Sequence, residues 1–267
     1  MAESLNPADP AARHLVAHGR LDVEGRLVDA SNVTLFCSVE LDGMSANAVY
    51  KPVNGERPLW DFPDGTLAGR EVATYLLSDA SGLGRIPPTV LRDGPFGVGM
   101  VQLWVETSEE QLIDVRAPEE VPPGWRVVLH AHDRLGDPAV LAHADHPGVR
   151  DLAILDIIAN NTDRKGGHVL AGTDGGVYGV DHGICLHAEP KLRTVLWGWI
   201  GDQLPEEAVE KLRALPEKIY GSLGDELSPH LTGLEIEAIA DRAETLARVG
   251  VFPEPGDDWR AIPWPLF

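Results

Sequence analysis

A chain of 267 residues, 43% apolar and 24% charged, has the size and composition of one two-lobed domain or two small packed domains, and excludes collagen-like, coiled-coil and wholly disordered architectures. Its 22 basic residues against 42 acidic ones give a net charge of −20, a field that repels nucleic-acid backbones and anionic bilayers, so nucleic acid is not an expected partner. Cys37 and Cys185 are too few for a disulfide framework or a Cys-rich zinc module, residues 1–20 lack a secretory pattern, and no apolar run approaches the ~20 residues of a bilayer span; the expected setting is the cytoplasm, without stable membrane insertion.

Strand patterns dominate the first hundred residues. Residues 34–40 alternate around Leu35, Cys37 and Val39, residues 47–51 form a second extended run, and residues 99–105 a third. One helix interrupts them: Thr66 is placed as an N-cap, Ala68, Val72, Tyr75 and Leu76 share a face, and Gly82 stands where the helix must stop. Residues 106–124, with Glu109, Glu110, Pro122 and Pro123, are polar and Pro-rich and read as a connection. Beyond it, Leu152, Leu155 and Ile158 fall at helical spacing within 147–161; two short strands follow, then helices near 205–215 and 234–249. The expected fold is α+β and bilobal, with a small β-rich N-lobe over 1–105 and a larger, helical C-lobe over 125–267.

Residues 160–183, NNTDRKGGHVLAGTDGGVYGVDHG, concentrate acidic and imidazole groups around a hairpin. Asp174-Gly175 suits a two-residue turn, because both central positions need positive φ. That register pairs Val169 with Val180 and His168 with Asp181. Opposed residues have Cβ atoms ~4.5–5.5 Å apart, close enough for an imidazole nitrogen and a carboxylate to share one divalent ion. Asp163, on the loop with Arg164, Lys165, Gly166 and Gly167, can point into the same mouth as a base.

Five stretches in order resemble the phosphatidylinositol 3- and 4-kinase superfamily, most nearly its type II phosphatidylinositol 4-kinases. AVYKP at 48–52 is similar to the strand bearing the ATP lysine, QLWVE at 102–106 to the hinge, and NTDR at 161–164 to the catalytic loop. VDHG at 180–183 resembles the metal-binding motif, and LWGW at 196–199 the activation segment. The resemblance implies a protein-kinase-like fold that transfers the ATP γ-phosphate to a hydroxyl with help from Mg²⁺ or Mn²⁺. It implies Asp163 as the catalytic aspartate with Arg164 beside it, His168 and Asp181 on the metal, and Lys51 on the phosphates with Glu71 as its partner. Gln102, Leu103, Trp104 and Val105 would meet the adenine, and Ser31, Asn32 and Thr34 would form the nucleotide loop. Such a division suits phosphoryl transfer, which needs positioning and charge neutralisation more than covalent participation. Two features depart from the family. His168 stands where asparagine is usual, which tilts preference toward Mn²⁺, and residues 29–34 carry no glycine, leaving hydroxyls to approach the phosphates.

Two other functions fit parts of the sequence. The departures suit a nucleotide-binding pseudokinase scaffold. The HxH of His130 and His132, with His143, Asp145 and His146 nearby, has the spacing of a metal-dependent hydrolase, although histidines of this kind also sit on solvated loops. The substrate is open: the net charge, and an activation segment whose cations are Lys191 and Arg193, place a protein hydroxyl or soluble metabolite level with an inositol lipid. Trp197 and Trp199 either pack that segment or face a membrane or substrate, and PWPLF at 263–267 either docks back or binds a partner.

Overall fold

Asp9 accepts the Ala11 amide and Pro10 supplies a preset φ, and together they start the first helix, α1 (Pro10–His18). The computed structural model describes residues 5–27, 32–256 and 260–267; Ser31 lies outside the described residues. After α1 comes an antiparallel sheet of β1 (Arg20–Arg26), β2 (Leu35–Leu41), β3 (Met44–Pro52), β4 (Thr89–Gly94) and β5 (Gly97–Leu103), in the order β1-β2-β3-β5-β4. Period-two alternation splits β3: Ala46, Ala48 and Tyr50 join Leu35, Cys37 and Val39 in a core under α1, while Val49 and Lys51 point to the other side.

The helix α2 (Leu67–Ser81) has the predicted limits. Thr66 Oγ1 accepts the Gly69 amide at 2.9 Å, and Gly82 closes the last turn in the left-handed region, at φ 74°. Its apolar residues belong to a second, larger core shared with α3 (Pro147–Ala159), α4 (Glu206–Ile219), α5 (Ser222–Leu227) and α6 (Gly233–Val249). A buried ion pair, Arg70 to Glu235 at 2.6 Å, ties α2 to α6. The helix is thereby held between sheet and helical body, which fixes Glu71 in depth.

Residues 106–124 contain more structure than a connection. Leu112 and Ile113 are buried among acidic neighbours, and β6 (Ile113–Arg116) pairs with β8 (Pro138–Ala144), which pairs in turn with β7 (Trp125–His132). The whole is mixed α+β, with six α-helices among the described residues. None of them is long and apolar enough to cross a membrane.

The hairpin of β9 (Val169–Ala171) and β10 (Val177–Gly179) departs from the predicted register by one residue. Gly179 faces Val169 and Tyr178 faces Leu170. The turn has three residues, not two: Gly175, at φ 79°, donates to Gly172 O at 3.0 Å, and Gly172 donates to Gly176 O at 2.8 Å. Asp174 decides this outcome, because its carboxylate accepts both the Gly176 amide at 2.9 Å and the Tyr178 hydroxyl at 2.6 Å.

Candidate active site

Lys51, on the cleft side of β3, lies between two carboxylates: its Nζ is 2.6 Å from Glu71 Oε1 and 2.8 Å from Asp181 Oδ1. Glu71 is buried on α2, and its second oxygen accepts the His182 amide at 2.9 Å. Burial alone would lower the Lys51 pKa, but Asp181 and Glu71 outweigh it and hold the ammonium charged. The Lys51 charge keeps Asp181 far below the usual carboxylate range, whereas burial pushes Glu71 upward against the pull of Lys51. Asp181 sits at φ 60°, a left-handed conformation that Asp tolerates better than most residues, and its carboxylate faces the cleft half-exposed.

His168 does not reach Asp181 through strand pairing. It ends a 3-10 turn, Gly166–His168, ahead of β9, and its carbonyl accepts the Val180 amide at 3.0 Å. The side chains meet nonetheless, His168 Nε2 lying 3.4 Å from Asp181 Oδ2. Burial pushes the His168 pKa down to about 4 despite Asp181, so the ring is neutral at pH 7 with a lone pair to offer.

Asp163 leaves α3 on a loop that Asn161 shapes by accepting the Asp163 amide at 3.0 Å. Burial raises its carboxyl pKa, opposed by Lys165, whose Nζ is 3.2 Å from Oδ2. Lys165 had no distinguishing signal in the sequence beyond its place in the loop. Arg164, expected beside the catalytic aspartate in function, turns inward instead. It is fully buried against Asp156 and donates to the carbonyls of His168 at 3.2 Å and Val180 at 3.1 Å. Its guanidinium braces the backbone on both sides of the hairpin and contacts His182 Nε2.

Two cavities meet at Lys51 and Asp181. The larger, about 540 Å³, has Asn32, Thr34 and Lys51 on one wall and His168 and Asp181 on another. Gln102, Leu103, Trp104 and Val105 line it too, although the Gln102 amide is bonded to Thr89 Oγ1 at 2.8 Å. The main-chain amides of Leu103 and Trp104 are committed to Pro88 O and Asn47 O, both at 2.9 Å. The smaller cavity, about 350 Å³, shares Asn32, Lys51 and Asp181 and adds Glu71 and Asp163. Asp163 therefore opens onto a different chamber from Gln102, Leu103, Trp104 and Val105.

The hydrolase constellation is dispersed. His130 and His132 are exposed on the edge strand β7. His143 is buried on β8 against Trp199, with Nε2 accepting the Gly198 amide at 3.1 Å; Asp145 binds Arg126 at 3.0 Å; His146 caps α3. No group of three or more His, Cys, Asp or Glu able to hold a metal occurs among the described residues. Trp197 and Trp199 are buried, their indole N–H groups bonded to Ala261 O at 2.9 Å and Asp145 Oδ1 at 3.1 Å, so neither presents its ring to a bilayer.

His143 carries a pH prediction. Burial lowers its folded-state pKa to about 4. An unfolded histidine binds its proton near pH 6.5, so between these values the unfolded chain holds more protons and stability falls as pH drops. This ring contributes a loss of about 2 kcal/mol at pH 5 relative to pH 7. Urea unfolding at the two pH values measures it, and His143→Gln is expected to flatten the slope.

No family model matches the chain. Protein Rv2133c of Mycobacterium tuberculosis (strain ATCC 25618 / H37Rv) is 46% identical over 263 residues, covering 95% of this chain and 94% of that one. The chain belongs to the Rv2133c family. Among solved structures, this Rv2133c-family chain is similar to the Helicobacter pylori proinflammatory kinase CtkA at 9% identity, with a TM-score of 0.42 over 88% of this chain and 94% of that one. A likeness of that size assigns no activity.

Proposed function

We propose that the chain is an ATP-dependent phosphotransferase of bilobal kinase-like build, related in design to the phosphatidylinositol 3- and 4-kinases. The observation that carries this reading is Lys51, clasped by Glu71 and Asp181 where two cavities join. An ammonium held charged at that junction suits phosphate oxygens arriving from the larger cavity, whose volume accommodates a nucleotide. Asp163, in the smaller cavity, is placed to orient an acceptor hydroxyl approaching from the other side.

The donor set also suits a divalent ion of the kind that kinases use. The half-exposed Asp181 carboxylate and the neutral His168 ring, whose Nε2 lies 3.4 Å from Asp181 Oδ2, would supply two ligands, with phosphate and water supplying the others. Mg²⁺ or Mn²⁺ held there would neutralise phosphate charge. Asp163 would accept the hydroxyl proton, and Lys165, 3.2 Å from it, must yield or swing toward the phosphates as the acceptor enters. The acceptor cavity carries Glu56, Glu71, Asp163 and Asp181 against Lys51 and Arg57, a balance that favours a protein or metabolite hydroxyl over a polyanionic lipid headgroup.

Calorimetric titration with ATP and Mg²⁺ or Mn²⁺, combined with an assay of ADP release, tests the proposal. Asp163→Asn is expected to keep nucleotide affinity and lose turnover by at least ~100-fold. Wild-type binding without any turnover would assign the pseudokinase scaffold instead, the reading that His168 in place of asparagine favours. A chain that binds no nucleotide would end both.

A further inference from the structure

The segment 260–267 returns to the site. Ala261 O accepts the Thr194 amide at 3.0 Å and the Trp197 indole at 2.9 Å, Pro263 is buried, and Ile262 and Leu266 pack against the larger core. Leu266 O then accepts the amide of Gly166 at 2.8 Å, the first residue of the turn that carries His168. The Phe267 ring lies so close over Gly166 that a Cβ there would overlap it, and the same ring forms part of the wall of the larger cavity. Gly166 is thus a close-approach glycine, required by its neighbour rather than by its own φ.

We propose that Leu266 and Phe267 are positioning residues of the active site: they clamp the turn Gly166–His168, thereby setting the His168 ring and Lys165, and complete the wall of the larger cavity. That the cavity takes a nucleotide rests on the function proposed above; the clamp itself does not. A main-chain bond and a ring on glycine leave the turn little freedom. Loss of the ring would let His168 drift from Asp181 and open the cavity to water.

Phe267→Ala and Gly166→Ala remove the same contact from opposite sides, and both changes leave the cores untouched. Each is expected to speed amide hydrogen exchange over 166–168, leaving α2 and α3 protected, and to weaken ATP binding in Mg²⁺ by about tenfold. The double variant is expected to bind no more weakly than either single one, because the contact can be lost only once. Unchanged exchange at 166–168 in Phe267→Ala overturns the proposal whatever the nucleotide data show, and so does a gain in affinity, which would make the ring a plug. Faster exchange in a protein whose wild type binds no ATP overturns the kinase reading alone and leaves the clamp standing.

Discussion

Lys51→Met is expected to abolish nucleotide binding and to destabilise the fold by about 3–5 kcal/mol, because it leaves Glu71 buried without its countercharge. Burial already pushes the Glu71 pKa upward and Lys51 opposes it, so the variant should relieve the strain by protonating Glu71. The sign of its pH dependence is kept and its size grows: a carboxyl whose folded-state pKa exceeds its unfolded value binds more protons when folded, so its contribution to stability improves as pH falls, more steeply without Lys51. Lys51→Met with Glu71→Gln removes the buried charge and should recover most of the lost stability while nucleotide binding stays absent. Urea unfolding and ATP calorimetry on the wild type and these two variants separate the two roles of the lysine. A single variant as stable as wild type, or a double variant that binds ATP normally, would contradict the assignment.

The elements that were legible carried local signals. Helix α2 announced itself through Thr66, its apolar face and Gly82, β2 through alternation, and β3 as a second extended run. Helix α1 also has a local signal, Asp9 followed by Pro10, in a stretch whose mixed charged and apolar composition otherwise says only that it lacks a secretory pattern. Strand β6 was hidden because two buried residues, Leu112 and Ile113, sit among acids and prolines whose composition resembles a linker. The hairpin register was missed for a chemical reason: Asp174 binds Gly176 and Tyr178 with its side chain, and a two-residue turn leaves no room for that. His168 and Asp181 still meet, since the 3-10 turn before β9 and the left-handed backbone of Asp181 bring the side chains together by another route. What spacing alone could not reveal was depth. Asp163 and Arg164 are adjacent in a loop, yet one faces a cavity and the other is wholly enclosed. The available clue was Asp156, a carboxylate interrupting the most apolar helix of the chain, since a buried acid there demands a cation.

That demand leads to a second large effect. Arg164 meets Asp156 through Nε at 3.1 Å and Nη2 at 2.9 Å, and Asp156 also accepts Asn161 Nδ2 at 2.9 Å and Thr194 Oγ1 at 3.0 Å. Arg164→Met strands this carboxylate and frees two carbonyls, those of His168 and Val180, so a loss of about 3–5 kcal/mol is expected. Arg164→Lys should recover little, because one ammonium cannot reproduce a planar fork that reaches a carboxylate and two carbonyls together. Pairing Arg164→Met with Asp156→Leu removes both charges and should restore part of the stability seen in urea unfolding. Turnover is expected to stay low in that pair, since the guanidinium that joined the His168 and Val180 carbonyls is gone and the frame shared by Asp163, His168 and Asp181 is loosened. Recovery of stability and turnover together would show that the guanidinium only neutralises Asp156; recovery of stability alone would show that it also sets the geometry of the site.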